Sequence, residues 1–263
     1  MRVLAVGDVC GSVGCRYAAC VLPKLRREEK IDLTIINGEN SADGNGITPQ
    51  SAEALFACGA DVITGGNHTL QRRESHTFLD ENPFLLRPEN LPVDFGGGYA
   101  LVDMGRLRVA VWNLMGSAFL ERYKVENPFL VADRLLERSH QDGANVILVD
   151  FHAEATGEKR ALGFYLDGKV SAFFGTHTHV MTSDACVLPK GTGYLTDLGM
   201  TGPIDSVLGV VPQAVINRLR DGSTDKFSIV DGPCQLNGCI FEINDTDGRV
   251  TAVRPILLRE EPT

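Results

Sequence analysis

Two carboxylates, one carboxamide and three imidazoles stand out in this sequence as groups able to hold metal ions. They are Asp8, Glu39, Asn67, His152, His177 and His179. Oxygen and nitrogen donors of this kind suit Mn²⁺, iron or Zn²⁺ better than a cation that prefers thiolates. One carboxylate can bridge two cations roughly 3.5–4 Å apart, and such a pair activates a shared water and neutralises phosphoryl oxygens. These residue types therefore favour hydrolysis of a phosphate ester at a two-metal site.

Taken one at a time, these residues also have ordinary explanations. Asp8 can be a turn residue, and His177 with His179 can be an incidental surface pair. In an extended segment, side chains two residues apart share a face, so both imidazoles are expected to point the same way. The combination favours the metal site, because each residue lies at or just past the end of a predicted strand, where sites of α/β sheets gather.

The elements that must position these residues follow from the hydrophobic pattern. Strands and helices alternate in the first third of the chain, which predicts a parallel sheet covered on both faces. The expected strands are residues 2–7, 31–36, 61–64, 99–103, 107–113, 145–150, 171–174, 184–188, 193–196, 239–243 and 250–257. The expected helices are residues 15–29, 49–58, 71–81, 128–140 and 212–220. No linker or internal repeat interrupts this order, so a single domain over residues 1–263 is predicted.

Composition excludes several classes of protein. The chain carries 34 acidic and 25 basic residues, a net charge of −9, which disfavours binding to duplex nucleic acid. It contains no run of about 18 apolar residues, so no membrane span is predicted. The apolar start is too short for a signal peptide, and the seven scattered cysteines form no C-x-x-C pair. We therefore expect reduced thiols and a cytoplasmic location.

The order of the motifs resembles the calcineurin-like metallophosphoesterase superfamily, whose pattern is D-x-H, GD, GNH-[DE], H and GH-x-H. The similar segments here are Gly7-Asp8, Gly38-Glu39-Asn40, Gly66-Asn67-His68, His152 and Gly175 to His179. Two departures are informative, since Cys10 replaces the histidine of the first motif and Glu39 replaces the aspartate of the second. With GDVCG, INGENSA and GGNHT, they resemble the YmdB-like bacterial branch of the superfamily, and the similarity extends over nearly the whole chain.

That resemblance implies a fold, a metal centre and an assignment of ligands. The fold is an α/β four-layer αββα sandwich of the metallophosphoesterase type. The cofactors are two divalent metal ions, with iron or manganese expected and zinc also allowed. Asp8 and His179 would hold the first metal, Asn67, His152 and His177 the second, and Glu39 would bridge them. Asn40 would contact the phosphate or the bridging water, and His68 would act as the general acid.

The implied activity is hydrolysis of small cyclic nucleotides by attack of a metal-activated hydroxide on phosphorus. The substrates would be chiefly 2′,3′-cyclic nucleotides, with 3′,5′-cyclic AMP as a further type. The partner is thus a small-molecule cyclic nucleotide or phosphodiester, and assembly into a homo-oligomer is left open. An alternative is a nucleotide- or metal-sensing regulatory protein with little turnover. A weaker one is a dinucleotide-binding oxidoreductase, from Gly7, Gly11 and Gly14 after the first strand.

Three points stay open from the sequence alone. Cys10 is either a third ligand of the first metal or a spectator thiol. Thr69 stands where the wider superfamily has an acidic residue, so the group that orients His68 is not identified. Phe119, Tyr123 and Phe151 could stack on a base or serve only in packing.

Overall fold

The first strand already indicates a layered structure. In β1 (Arg2–Val6), Val3 and Ala5 face one way and Leu4 and Val6 the other, and all four side chains are buried. A strand that is buried on both faces must lie inside a sheet with a layer on each side. The computed structural model, which describes residues 1–43 and 45–260, shows these layers.

Thirteen strands and six α-helices make up the described parts of the chain. After β1, the strands are β2 (Asp8–Val9), β3 (Leu33–Asn37), β4 (Val62–Thr64), β5 (Tyr99–Asp103), β6 (Arg108–Met115), β7 (Val146–His152), β8 (Ala172–Thr176), β9 (Cys186–Val187), β10 (Gly193–Leu195), β11 (Met200–Pro203), β12 (Cys234–Ile243) and β13 (Val250–Arg259). The helices are α1 (Gly11–Glu28), α2 (Pro49–Ala57), α3 (Glu74–Glu81), α4 (Pro128–Gln141), α5 (Thr156–Leu166) and α6 (Pro212–Asp221).

The strands form two sheets. The first has the order β2-β11-β12-β1-β3-β4, with β13 paired to the other edge of β12. Within it β1, β3 and β4 are parallel, whereas β12 runs antiparallel to β1. The second has the order β5-β6-β7-β8-β10-β9, in which β6, β7, β8 and β10 are parallel and the two edge strands are antiparallel. The parallel strands of both sheets place their carboxyl ends at the edge of the sandwich where the predicted metal ligands lie.

Helices cover the outer face of each sheet. The inner faces pack on each other through residues such as Val3, Val111 and Phe174. Leu22 of α1 packs outside the first sheet, and Leu135 of α4 packs outside the second. The order is therefore helices, sheet, sheet, helices, and the predicted four-layer αββα sandwich is confirmed.

Several predicted boundaries were wrong. Helix α1 begins at Gly11 rather than at residue 15, although glycine disfavours helix. Gly14 in this added turn lies against the carbonyl of Thr201, where a Cβ would not fit. Helix α3 begins at Glu74, three residues later than expected, and β12 begins at Cys234, five residues earlier. Strands β2 and β11 and helix α5 were not predicted. The two strands are short, and α5 turns Lys159 towards the interior, which breaks its amphipathic pattern.

The sequence also led us to expect reduced thiols and no membrane span. All seven cysteines are free thiols, and four of them, including Cys10, are buried. No helix in the described part of the chain is both long and apolar enough to cross a membrane.

Candidate metal centre

The structure brings the predicted residues together at one edge of the sandwich. Asp8 lies at the junction of β1 with β2, Glu39 follows β3, Asn67 follows β4, His152 ends β7, and His177 and His179 follow β8. Asp8, Glu39 and His152 are fully or almost fully buried, and Asn67 is nearly so. Gly66 allows this close approach, because a Cβ there would collide with Glu39 Oε2 and His152 Nε2.

The imidazole of His152 is oriented by its Nδ1 atom. The hydroxyl of Thr176 donates its hydrogen to Asp150 Oδ1 at 2.7 Å. His152 Nδ1, which lies 2.9 Å from the same hydroxyl oxygen, must therefore donate to it. In the neutral ring this leaves a lone pair on Nε2, so Nε2 is the nitrogen able to bind a metal.

That Nε2 atom faces three other atoms that carry lone pairs. It lies 2.9 Å from Asn67 Oδ1, 3.4 Å from Glu39 Oε1 and 3.0 Å from His177 Nδ1. His177 Nδ1 is itself without a hydrogen when the ring is neutral, since Nε2 of that ring lies 2.8 Å from the Glu154 carboxylate and donates to it. Four electron-rich atoms thus converge on one point.

Such an arrangement requires a positive charge at its centre. A buried polar atom without a partner costs about 1–3 kcal/mol, so four of them would not stay together unaided. Ligand atoms of Glu39, His152 and His177 lie within 4.8 Å of one another, which fits a single divalent cation. In the metal-free chain a proton can take this place. Burial would lower the pKa of His152, but the charge of Glu39 and its hydrogen bond raise it instead.

A second group of ligand atoms lies beside the first. Asp8 Oδ2 accepts a hydrogen bond from the backbone N–H of His177 at 3.1 Å, whereas Oδ1 has no hydrogen-bond partner among residues 1–43 and 45–260. His179 Nδ1 lies 3.2 Å from the carbonyl of Leu208 and donates to it, so Nε2 of the neutral ring carries the lone pair. That Nε2 lies 3.8 Å from Asp8 Oδ1. An unpartnered buried carboxylate oxygen facing an imidazole lone pair fits a second cation.

Burial and the charges of neighbouring side chains shift the pKa values of these residues. Burial would raise the pKa of Glu39, but His152 and His68 hold it well below its ordinary value. Burial raises the pKa of Asp8, against the opposing charges of His179 and His152. Burial and the positive charge of His152 lower the pKa of His177 to about 3. Glu39 is therefore ionised and His177 neutral at neutral pH, which is the state each needs as a ligand.

Asn40 is the group that orients His68. Its Nδ2 donates to Glu39 Oε1 at 2.9 Å, so its Oδ1 faces His68 Nδ1, also at 2.9 Å. The backbone N–H of His68 donates to Glu39 Oε2 at 2.9 Å. These bonds leave His68 Nε2 available to a ligand in the adjoining cavity, which His68 lines. Burial lowers the pKa of His68, against the opposing charge of Glu39.

The segment after β8 is bent rather than extended, contrary to the expectation for the H-x-H pair. His177 and His179 have φ values of 104° and 63°, which are unusual for residues with a Cβ. The bend sends the two rings to different partners, His177 towards His152 and His179 towards Asp8. Backbone strain of this kind costs about 1–3 kcal/mol per residue and persists only where the surroundings impose it.

A buried ion pair supports the bent segment. Lys159 Nζ donates to Asp197 Oδ2 at 2.6 Å and to the carbonyl of Thr176 at 2.9 Å, and both charged side chains are fully buried. The same Asp197 oxygen accepts the backbone N–H of Thr178 at 3.0 Å. This pair was not predicted, because Lys159 lies between the charged residues Glu158 and Arg160 in a helix that was itself not predicted.

Further residues behind the ligands were also missed. Asp150, with a pKa raised by burial to about 6, accepts hydrogen bonds from Asn37, Thr64 and Thr176 and so joins the ends of β3, β4, β7 and β8. Asn113 accepts the N–H of Gly65 and donates to its carbonyl. Polar residues at the ends of apolar strands were the available signal, but Asn37 and Thr64, two of the partners of Asp150, lie on the other sheet.

The structure also bears on the residues left open by the sequence. Cys10 Sγ lies 3.7 Å from Nδ1 of His179, the ring nitrogen opposite the one that faces Asp8. Tyr123 OH accepts a hydrogen bond from Asn67 Nδ2 at 3.1 Å, which turns Asn67 Oδ1 towards His152. Phe151 is wholly buried in the core, whereas Phe119 is 77% exposed.

A four-layer α/β sandwich with carboxylates, imidazoles and an amide at its strand ends has the architecture of the metallophosphoesterases. Within that class, the chain belongs to the YmdB-like family, whose model, described as YmdB-like protein, matches residues 4–256. This membership excludes the dinucleotide-binding oxidoreductase considered from the glycine spacing.

Individual relatives agree with this placement. The chain is 42% identical over 262 residues to a protein of Bacillus subtilis named 2′,3′-cyclic-nucleotide 2′-phosphodiesterase, covering 99% of this chain and 98% of that one. It superposes with a TM-score of 0.94 on the crystal structure of a phosphatase from Mycoplasma pneumoniae, at 33% identity, covering 99% and 94% of the two chains. A 5′-nucleotidase structure from Staphylococcus aureus, at 14% identity and a TM-score of 0.62, shares the fold alone; all of this chain and 55% of that one are covered.

Proposed function

We propose that this protein is a two-metal phosphodiesterase that opens 2′,3′-cyclic nucleotides, with 3′,5′-cyclic AMP as a further substrate type. The observation that carries the proposal is the convergence of His152 Nε2, Asn67 Oδ1, Glu39 Oε1 and His177 Nδ1 on one point, beside the unpartnered Oδ1 of Asp8. The activity named for the Bacillus subtilis relative supports the choice of substrate.

The donor set defines which residues would hold the metals. Asp8 and His179 would hold one cation, and Asn67, His152 and His177 the other, with Glu39 facing both. Nitrogen and oxygen donors without a metal-facing thiol suit iron or manganese and allow zinc. When bound, the cations would neutralise phosphoryl oxygens and lower the pKa of a water molecule.

Residues of the chain itself supply orientation and proton transfer. Glu39 fixes the Asn40 amide, and Asn40 in turn fixes the imidazole of His68 by accepting from Nδ1. With Nδ1–H donating to Asn40, His68 can give a proton from Nε2 to a departing ribose oxygen when its ring is the imidazolium, which carries a hydrogen on both nitrogens. Asn40 Nδ2, which also lies 3.4 Å from His179 Nε2, would contact a phosphoryl oxygen of the substrate.

Elemental analysis of the purified protein, joined to a hydrolysis assay on 2′,3′-cyclic AMP, tests the proposal. We expect two metal equivalents per chain and release of the 3′-monophosphate, because opening at the 2′ oxygen leaves the phosphate on the 3′ oxygen. Two bound metals with no turnover would instead support the regulatory alternative. Absence of bound metal, even after incubation with Mn²⁺ or Fe²⁺, would overturn the assignment of the centre.

A further inference from the structure

The cavity beside the candidate centre is polar at one end and apolar at the other. It has a volume of about 350 Å³, within the range of roughly 300–1,000 Å³ found for small-molecule sites. The polar end is formed by Glu39, Asn40, His68, His177 and His179. The apolar end, here called the apolar shelf, is formed by Leu208, Val210, Phe227 and Ile229.

The apolar shelf is a built surface rather than a loose loop. Val210 pairs with Ile229 in an antiparallel bridge, flanked by hydrogen bonds from Val211 N to Ser228 O and from Val230 N to Gly209 O, both 3.0 Å. The shelf is tied to the candidate centre, since the carbonyl of Leu208 accepts from His179 Nδ1. A ligand on the shelf would therefore lie at a fixed place relative to the proposed metal ligands.

Phe227 supplies the flat surface of the shelf. The guanidinium carbon of Arg218 lies 3.8 Å from the centroid of the Phe227 ring, a cation–π contact that holds the ring in place. Leu208 is 48% exposed and has a φ of 54°, so the chain keeps an apolar side chain open to the cavity in an unfavourable backbone conformation. Aromatic and aliphatic groups left open beside a polar site indicate a ligand with an apolar part.

We propose that the apolar shelf binds the nucleobase of the substrate, with the base stacked on Phe227. This inference rests on the proposed function and adds the part of the substrate that lies away from the phosphate. A cyclic nucleotide carries its charge at the phosphodiester and a flat, weakly polar ring system at the base, which matches the division of the cavity. Every base has a π-face, so the shelf distinguishes nucleotides from diesters without a base.

The test compares two cyclic diesters in the metal-loaded protein. 2′,3′-cyclic AMP has a base, whereas glycerol 1,2-cyclic phosphate has the same five-membered phosphate ring without one. For Phe227→Ala we expect kcat/KM on 2′,3′-cyclic AMP to fall about 5- to 150-fold, the range expected for one base–aromatic stack. Activity on glycerol 1,2-cyclic phosphate should stay within about twofold of the unsubstituted protein, which also shows that the variant folds and holds its metals.

Phe164 offers a matched control. It is 50% exposed on α5 and lies under Arg160 at 4.8 Å, but it does not line the cavity. Phe164→Ala should leave both activities unchanged, and Phe227→Trp should retain activity on 2′,3′-cyclic AMP. Equal loss on both diesters, or no loss on either, would overturn the assignment of the shelf.

A binding experiment separates failure of this inference from failure of the proposed function. If the unsubstituted protein opens neither diester, the proposed function fails, and saturation-transfer NMR with adenosine then decides on the shelf. Binding of adenosine by the unsubstituted protein and by Phe164→Ala, but not by Phe227→Ala, would support it. Adenosine that fails to bind the unsubstituted protein, or that binds all three proteins alike, would overturn it.

Discussion

At the scale of single residues, hydrogen bonds on the far side of each ring or amide decide which atom faces the centre. The hydroxyl of Thr176 accepts a hydrogen bond from His152 Nδ1. The Glu154 carboxylate accepts one from His177 Nε2, and the carbonyl of Leu208 accepts one from His179 Nδ1. Mutation of a group that hydrogen-bonds to a metal ligand lowers metal affinity or activity by about 10- to 100-fold. Direct ligands are expected to matter more.

Glu39→Gln tests the bridging role. The variant keeps the size of the side chain but removes the negative charge, and it places an amide N–H₂ among groups that already donate, the Asn40 amide and the His68 backbone N–H. We expect it to lose metal and more than about 100-fold of activity together. Metal analysis and hydrolysis of 2′,3′-cyclic AMP measure both. Glu53→Gln, at an exposed position of α2, is the control. Two metals at full occupancy in Glu39→Gln would contradict the bridge.

His68→Ala separates proton transfer from metal binding. A general acid contributes about 10²–10⁴-fold when the leaving group is poor, as a ribose oxygen is, and much less when it is p-nitrophenolate. We therefore expect normal metal content, a large loss on 2′,3′-cyclic AMP and a small loss on bis-p-nitrophenyl phosphate. His140→Ala, at an exposed histidine, should change neither rate. If both substrates slow equally in His68→Ala, the residue acts in binding or in positioning the attacking group instead.

At the scale of elements, the bent segment after β8 depends on a helix that contributes no ligand. Helix α5 carries Lys159, whose Nζ holds both the carbonyl of Thr176 and the carboxylate of Asp197. Asp197 in turn fixes Thr178 between the two histidines. The strained φ values of His177 and His179 are thus maintained by a buried ion pair.

Lys159→Met tests this dependence. Removing one member of a buried pair leaves the other charge unpaired, which costs about 3–5 kcal/mol of unfolding free energy. We expect that loss in urea unfolding, together with weaker metal binding, because the segment that carries His177 and His179 is released. Adding Asp197→Asn should regain part of the stability, and Lys24→Met, an exposed position of α1, should have little effect. Unchanged stability and metal affinity in Lys159→Met would show that the pair does not support the centre.

At the scale of the whole molecule, the candidate centre lies where strands of the two sheets end. Asp8 and Glu39 lie at the ends of strands of the first sheet, and His152 and His177 lie at the ends of strands of the second, so a cation bound by both groups would link the layers. Asp150 makes a further link, since it accepts from Asn37 of the first sheet. Metal binding should therefore stabilise the folded state as well as support catalysis.

Removal of metal tests this linkage. A cation present at about 100 times its Kd adds about 2.7 kcal/mol of stability, and each kcal/mol moves the Tm of a chain of this size by about 2–4 °C. We expect a chelator to lower the Tm by roughly 5–10 °C, and added Mn²⁺ or Fe²⁺ to restore it. Glu39→Gln should start from the lower Tm and respond little to the chelator. A Tm in the unsubstituted protein that ignores both chelator and metal would contradict a centre that joins the sheets.

Alternating strands and helices, and the strand ends at which polar residues gather, can be predicted from the amino-acid sequence, because the spacing of apolar residues is a local feature. Resemblance supplied the family, which the comparisons confirm, and the candidate ligands from Asp8 to His179. The tertiary structure was needed to show which atom of each candidate ligand faces the others, that Asn40 orients His68, that Lys159 and Asp197 hold the bent segment, and that Phe227 lines the cavity. Each of these depends on contacts between residues far apart in the chain, such as Lys159 with Asp197 or His179 with Leu208, and spacing along a sequence does not encode such contacts.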